Sequence, residues 1–216
     1  MSSHRHKCLM SFYKNSESEI ILIDKSNLYQ WVASNLHPAY KLLSYTHRAD
    51  YLRCYFMHNF GGGYSDIKFC RFSWNHYFLR LKSSEKLLMS GYTERKATDI
   101  ASEEAHIKNS YANLPGMGHF IFKPKSELTY RWINQVHSCL DHVFKDLYKY
   151  PGIYHPRAVN GGVHDSNIFA RIRFFVNKYP IEWNSLLGKI LHPLSYQFKD
   201  RISLAMPYVD TLTRYR

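Results

Sequence analysis

The chain has 216 residues, a formal net charge of +12 and an aromatic content of 16%. This length fits one domain with a substantial core, and no run of about 18 apolar residues exists that could span a membrane. The charge attracts polyanions, anionic surfaces and phosphorylated small molecules alike, and the scattered basic residues do not choose among them.

The first seven residues are polar and basic and lack the apolar stretch of a signal peptide, so we expect a flexible tail over residues 1–7. The four cysteines lie far apart without a CxxC pair, which argues against a zinc module and favours reduced thiols. We therefore expect a single domain without a membrane span, in the cytoplasm or at the cytoplasmic face of a membrane.

The first predicted elements come before the glycine run at residues 61–63. Residues 19–24, EIILID, form a short apolar run that predicts a buried parallel strand with Asp24 at its carboxyl end. Ser26 or Asn27 can begin a helix that runs to about residue 34. From Ser44 onward, apolar or aromatic residues recur at helical spacing, at positions 45, 49, 52, 56 and 60. The glycines then end this helix.

The elements after the glycines alternate between strands and helices. Strands are predicted over 64–69, 87–92 and 118–124. The longest predicted helix covers 126–148, a loop covers 151–162, and a short helix lies near 167–175. The long helix has a predicted buried stripe of Leu128, Trp132, Val136 and Leu140. This order predicts one α/β domain with a mixed, mainly parallel sheet flanked by helices.

Polar residues on both sides of the glycines suggest a binding site. Asp50 and Arg53 are three residues apart on one helix, so they share a face and can pair or jointly hold a polyol. The glycine turn brings Tyr64, Asp66 and Lys68 back toward this helix, and ligands of open α/β sheets gather at strand ends. A surface salt bridge followed by a glycine hairpin explains the same spacing equally well.

The segment ADYLRCYFMHNFGGGYSDIK resembles the core motif of the family 32 glycosyltransferases, which are DXD-containing sugar transferases. This family includes capsular-polysaccharide transferases and yeast-type initiating mannosyltransferases. Its motif is Asp, two residues, Arg, a helix, Gly-Gly, an aromatic residue and Asp-x-Asp. The similarity covers roughly residues 11–69, and it implies a GT-A fold. It also implies retaining transfer of a hexose, in polysaccharide biosynthesis, from a UDP- or GDP-sugar to a glycan or other hydroxyl acceptor.

The resemblance also implies roles for individual residues. Asp50 and Arg53 would hold the donor sugar, Tyr64 would border the nucleotide, and Asp66 would contact ribose, sugar or metal. Gly62 and Gly63 would belong to the same donor site.

The chain departs from the family motif in two places. The apolar strand that usually opens the family, just before the position of Lys7, is absent, and the second Asp of DXD is Lys68. Mn²⁺ or Mg²⁺ in such a site is held by one or two carboxylates and the substrate's phosphates. A lysine repels the cation but can itself lie against the diphosphate. We therefore expect Asp66 and Lys68 as catalytic residues, with Asp66 at most a weak metal ligand and little metal dependence, unless Lys68 points away.

Three further candidates each have a structural alternative. Asp24 either accepts from the uracil or ribose or caps the next helix. Gly118 and His119 either line the acceptor side or form a turn before a strand. His164 and Asp165 either belong to a loop that closes on the donor, or Asp165 caps a helix.

Two other functions compete with the transferase. Lys68 is also consistent with a degenerate domain that binds sugar nucleotides without turnover. The charge and the aromatics suggest a nucleic-acid-binding module with base stacking, although no RNP, KH or zinc-finger motif is present. The combination of Asp50, Arg53 and Asp66 favours a transferase over a nucleic-acid-binding module, so we expect no nucleic-acid partner. The same residues do not separate the transferase from the degenerate domain.

Overall fold

The computed structural model describes residues 1–32, 36–152 and 178–208 of the chain. The helices in these ranges are α1 Ser3–Asn15, α2 Leu28–Trp31, α3 Tyr45–Asn59, α4 Asn75–Ser83, α5 Ala105–Asn109, α6 Glu127–Lys149 and α7 Gly188–Gln197. The strands are β1 Gly62–Ser65, β2 Met89–Thr93, β3 Pro115–Phe122 and β4 Ile202–Ser203. The α/β class is therefore as predicted.

The four strands form one mixed sheet in the order β1-β3-β2-β4. Strand β3 pairs antiparallel with both β1 and β2, whereas β2 and β4 run parallel. The prediction of a mainly parallel sheet is therefore wrong for this part of the chain. Alternation along a strand reports which side chains are buried, and it does not report the direction of the neighbouring strand.

Helices cover both faces of the sheet, and each face has its own apolar core. Helices α3, α6 and α7 pack over Phe120 and Phe122 on one face. Phe12 of α1 and Trp74, which precedes α4, pack against Ile121 on the other face. The sheet is thus the middle layer of a three-layer arrangement.

The long helix α6 agrees closely with its prediction. It begins at Ser126, whose hydroxyl accepts a hydrogen bond from the Thr129 amide at 3.3 Å. The four predicted stripe residues Leu128, Trp132, Val136 and Leu140 are all fully buried. The strands predicted over 87–92 and 118–124 correspond to β2 and β3. Of the strand predicted over 64–69, only residues 64 and 65 belong to β1, so the prediction is wrong for residues 66–69.

The strand predicted over residues 19–24 is absent, and Ile21 and Leu22 are exposed. A turn ends the segment, because the Asn27 side-chain amide donates to the Leu22 carbonyl and the Asp24 carboxylate accepts from Ser26. The apolar segment instead lines a groove beside Gly63 and Ser65, along the edge of β1.

The remaining sequence predictions concern three helices, the first seven residues and one loop. Helix α2 is shorter than predicted within the described residues, and residues 1–7, expected as a tail, have exposed side chains but lie largely in α1. In α3, the predicted stripe is wrong, because Tyr45 and Phe60 are exposed. The helix predicted near 167–175 and most of the loop predicted over 151–162 lie outside the described residues.

Candidate functional site

Helix α3 places Asp50 and Arg53 on one face. It begins at Ser44, whose hydroxyl accepts from the His47 amide at 3.3 Å, and it runs without interruption to Asn59. Residues three apart in a helix are neighbours on its surface, so the two side chains meet. This face points into the protein, and Asp50 is only 4% exposed.

The glycine turn after α3 reverses the chain. Gly61 and Gly62 have φ values of +67° and +81°, a conformation that favours glycine. A Cβ atom on Gly61 would also lie 2.5 Å from the Pro124 side chain. The reversal sends β1 back along β3 and places Tyr64 and Asp66 beside α3.

The carboxylate of Asp66 is the centre of the site. Its Oδ1 atom accepts from the Tyr64 hydroxyl at 2.7 Å and from Arg53 Nη2 at 3.3 Å. Its Oδ2 atom lies 3.6 Å from Lys68 Nζ. Three donors from a helix, a strand and the segment after that strand therefore fix one acidic side chain.

Arg53 connects the two acidic residues of the site. Its Nη1 atom lies 3.7 Å from Asp50 Oδ1 and also donates to the Met117 carbonyl at 3.4 Å. The guanidinium carbon lies 4.3 Å from the centre of the Tyr64 ring, close enough for a cation–π contact. The side chains of Asp50 and Arg53 are only 5% and 15% exposed, so the alternative of a surface salt bridge is wrong.

The environment of Asp50 changes its acidity. Burial raises the pKa of this carboxyl group from 3.8 to about 6, against the opposing effect of the Arg53 guanidinium. The negative charge of Asp66 raises the pKa further. Asp50 is therefore mostly ionised at pH 7 and becomes protonated as the pH falls through 6.

Lys68 faces the site, and the alternative that it points away is wrong. Its side chain is 15% exposed, and its ammonium group contacts Oδ2 of Asp66, whereas Arg53 contacts Oδ1. A divalent cation at Asp66 would approach two fixed positive charges, and the second nearby carboxylate, Asp50, is buried and paired. These side chains by themselves do not fit a Mn²⁺ or Mg²⁺ site.

The other predicted site residues differ in their proximity to Asp66. Gly118 belongs to the site, since a Cβ atom on it would lie 3.6 Å from Lys68 Nζ and 3.8 Å from Asp66 Oδ2. His119 is fully buried and stacks on Tyr92, with ring centres 4.3 Å apart. Burial lowers its pKa to about 4, so the ring is neutral and lies within the core.

The remaining predicted residues have structural contacts or lie outside the described residues. Asp24 is exposed and accepts from the amide and hydroxyl of Ser26 in the turn before α2, whose N-cap position is Asn27, so the alternative that Asp24 caps this helix is wrong. Gly63 is required sterically, because a Cβ atom there would lie 2.6 Å from Trp74, whereas Gly62 is open. His164 and Asp165 lie outside the ranges that the structure describes.

Sequence analysis missed Tyr92, at the end of β2. Its hydroxyl oxygen accepts from the Gly118 amide at 3.0 Å, next to Lys68 and Asp66. The available signal was the spacing of Gly116 and Gly118 in PGMGHF, because two glycines two residues apart in a strand indicate that another group lies across it.

Comparison with known proteins gives no relative: no family model, no curated protein and no solved structure matches this chain. Among the helices of the described ranges, none is long and apolar enough to cross a membrane.

Proposed function

We propose that this protein is a glycosyltransferase that moves a hexose from a UDP- or GDP-sugar to a glycan or other hydroxyl acceptor. The observation that carries the proposal is the convergence of Arg53, Tyr64 and Lys68 on the Asp66 carboxylate, with Asp50 held by the same arginine. The site therefore combines hydrogen-bond acceptors for sugar hydroxyls with cations for phosphates. The similarity of residues 11–69 to the family 32 motif supports the choice of sugar nucleotides.

Each side chain has a defined role in this proposal. The Asp50 carboxylate accepts hydrogen bonds from the sugar hydroxyls, and Arg53 donates to them while it holds both acids in place. The Tyr64 ring, in contact with Arg53, borders the nucleotide. Lys68 exchanges part of its contact with Asp66 for the diphosphate and stabilises the negative charge that develops there.

The reaction retains the configuration at the sugar's anomeric carbon. The bond from this carbon to the diphosphate oxygen breaks, and a bond to the acceptor oxygen forms on the same face. The acceptor's proton passes to the departing diphosphate oxygen. The protein contributes alignment of the reactants and fixed charge, and no covalent enzyme intermediate is required.

Lys68 makes the proposed reaction independent of a divalent cation. The ammonium group lies 3.6 Å from Asp66 Oδ2, so the chain itself supplies positive charge where the proposal puts the diphosphate. The expected consequence is binding of the donor in EDTA, with little gain when Mn²⁺ is added.

A thermal-shift panel tests the donor. UDP-glucose, UDP-galactose, UDP-N-acetylglucosamine and GDP-mannose are compared with the free sugars, each in EDTA and in Mn²⁺. A ligand at 100 times its Kd stabilises the native state by about 2.7 kcal/mol, which corresponds to roughly 5–10 °C for a chain of this size. If no sugar nucleotide shifts the melting temperature while single-stranded RNA binds with steep salt dependence, the nucleic-acid function replaces this one.

Variants at Lys68 test the metal-free mechanism. Lys68→Ala should weaken donor binding in EDTA about tenfold or more, and Lys68→Asp should make binding depend on Mn²⁺. Lys86→Ala removes the same charge from an exposed position and should leave binding unchanged. Equal binding by wild type and Lys68→Ala in EDTA contradicts the role of the lysine.

Turnover separates the enzyme from the degenerate domain, which the ion pair between Lys68 and Asp66 also fits. Chromatographic detection of released UDP or GDP, with a panel of glycan acceptors, measures transfer. Release that depends on the acceptor supports the transferase, and tight binding without release supports the degenerate domain.

A further inference from the structure

Tyr92 contacts the site through the backbone of β3. Its hydroxyl oxygen accepts from the Gly118 amide at 3.0 Å, and the Gly118 carbonyl accepts from the Asp66 amide at 2.8 Å. Gly118 thus links the side chain of Tyr92 to the backbone of Asp66, with its amide bonded to the former and its carbonyl to the latter. Two consecutive hydrogen bonds therefore connect Tyr92 to the backbone of Asp66.

The strand is built to admit the tyrosine ring. A Cβ atom on Gly116 would lie 2.0 Å from Tyr92 Cζ, and a Cβ atom on Gly118 would lie 3.0 Å from its hydroxyl oxygen. Any residue larger than glycine at position 116 would displace the ring. Two glycines therefore leave the space that Tyr92 fills.

Aromatic neighbours fix the ring in this space. The His119 ring stacks on one side at 4.3 Å with an interplanar angle of 22°, and the Tyr208 ring packs edge-on at 5.3 Å. Tyr92 is 8% exposed, and burial raises the pKa of its hydroxyl above the usual value. The hydroxyl is therefore neutral at physiological pH, and its oxygen can accept the hydrogen bond from the Gly118 amide.

We infer that Tyr92 is a positioning residue, which sets the orientation of the Asp66 carboxylate by holding Gly118. The carboxylate must meet Arg53, Tyr64 and Lys68 from three directions, so its backbone requires an anchor on the β3 side. As far as ligand affinity is concerned, the inference rests on the proposed function. The orientation of Asp66 itself does not depend on which ligand binds.

Tyr92→Phe tests the inference because it keeps the stacked ring and removes the hydroxyl. The matched control is Tyr51→Phe, since the Tyr51 hydroxyl is also buried and also accepts from a backbone amide, that of His37 at 2.9 Å. Both variants remove a hydroxyl that accepts from a backbone amide, and Tyr51→Phe also removes the 3.3 Å contact of that hydroxyl with His137 Nε2. A general loss of stability should therefore be at least as large in the control. Only Tyr92→Phe should affect the neighbourhood of Asp66.

Two measurements decide the outcome. Hydrogen exchange of the Gly118 and Asp66 amides should accelerate about tenfold in Tyr92→Phe and remain unchanged in Tyr51→Phe. Affinity for the sugar nucleotide that best stabilises the wild type should fall roughly three- to tenfold in Tyr92→Phe alone. Wild-type affinity in Tyr92→Phe overturns the inference and leaves the proposed function intact. If the wild type binds no sugar nucleotide, the proposed function fails, and amide exchange alone decides the inference.

A double variant separates positioning from a general structural role. Gly118→Ala introduces a methyl group 3.0 Å from the tyrosine hydroxyl and should accelerate exchange at Asp66. If this effect arises through Tyr92, adding Tyr92→Phe to Gly118→Ala should produce little further acceleration. Effects that add fully would show that the two residues act separately, and would overturn the inference.

Discussion

Helices α3 and α6 begin in the same way and bury different kinds of residues. Each is capped by a serine that accepts from the amide three residues later. Helix α6 buries an apolar stripe, whereas α3 buries His47, Asp50 and Tyr51 and leaves Tyr45 exposed. The comparison shows that α6 is oriented by its apolar surface, while the buried face of α3 also carries the polar residues of the site.

The largest expected effect lies in α6. Trp132 is fully buried against Phe120 and Phe122, so Trp132→Ala should reduce the free energy of unfolding by about 3–5 kcal/mol. Urea unfolding measures the loss. Trp183→Ala is the control, since that side chain is 51% exposed and its loss should cost less than about 1 kcal/mol. Equal losses would contradict the burial of Trp132 in the core.

In α3, the contribution of the buried Asp50 to the free energy of unfolding should depend on pH. The pKa of Asp50 is about 6 in the folded protein and 3.8 unfolded, so the native state binds the extra proton between these values. Wild-type stability should therefore fall as the pH rises through this window, and the loss is nearly complete by about pH 7. Relative to Asp50→Asn, the wild type should lose roughly 2–2.5 kcal/mol between pH 4 and pH 7.

Urea unfolding of both proteins across this range measures the difference, because most other titrating groups are shared and cancel. Asp24→Asn is the control of opposite sign, since the Ser26 hydroxyl lowers the pKa of Asp24. Its contribution should be lost as the pH falls. A stability difference between wild type and Asp50→Asn that does not change with pH would show that Asp50 is not buried as an acid.

Two arginines of α3 should differ in their effect on ligand binding. Arg53→Ala removes the link between Asp50 and Asp66, and donor affinity should fall roughly 10- to 100-fold. Arg48 donates to the Leu43 and Lys41 carbonyls instead, so Arg48→Ala should change affinity less than about twofold. Calorimetric titration measures both. Similar losses would mean that helix integrity, and not the site, governs affinity.

The smallest effect should come from the predicted apolar stripe of α3. Tyr45 is 63% exposed, so Tyr45→Ala should change the free energy of unfolding by less than about 1 kcal/mol. Tyr51→Ala, on the buried face, should cost about 3 kcal/mol or more. Thermal or urea unfolding compares them, and a larger loss at Tyr45 would reverse the orientation of the helix.

Local features of the fold were predictable from sequence. The serine at the start of each long helix, the glycines after α3 and the stripe of α6 are each recognised from a pattern within one short segment of sequence. The strand direction and the exposure of Ile21 and Leu22 depend on which distant segment is the neighbour. Periodicity within one segment contains no information about that neighbour.

The candidate site also has residues that were predictable from sequence and one that was not. Asp50, Arg53, Tyr64, Asp66 and Lys68 lie within 19 consecutive residues, and their convergence could be predicted from a helix, a turn and a strand. Tyr92 could not be placed, because it reaches the site through the bulged pairing of β2 with β3. Its contact with Gly118 spans 26 residues of chain.

The site contains two acidic and two basic side chains, and this balance has a kinetic consequence. Asp50, Arg53, Asp66 and Lys68 have no formal net charge together at pH 7, so the charge of +12 resides elsewhere on the chain. Long-range attraction of an anionic ligand therefore arises outside the site and is screened by salt, whereas the short contacts within the site are much less screened. Raising ionic strength should slow the association of a sugar nucleotide and leave its residence time nearly unchanged.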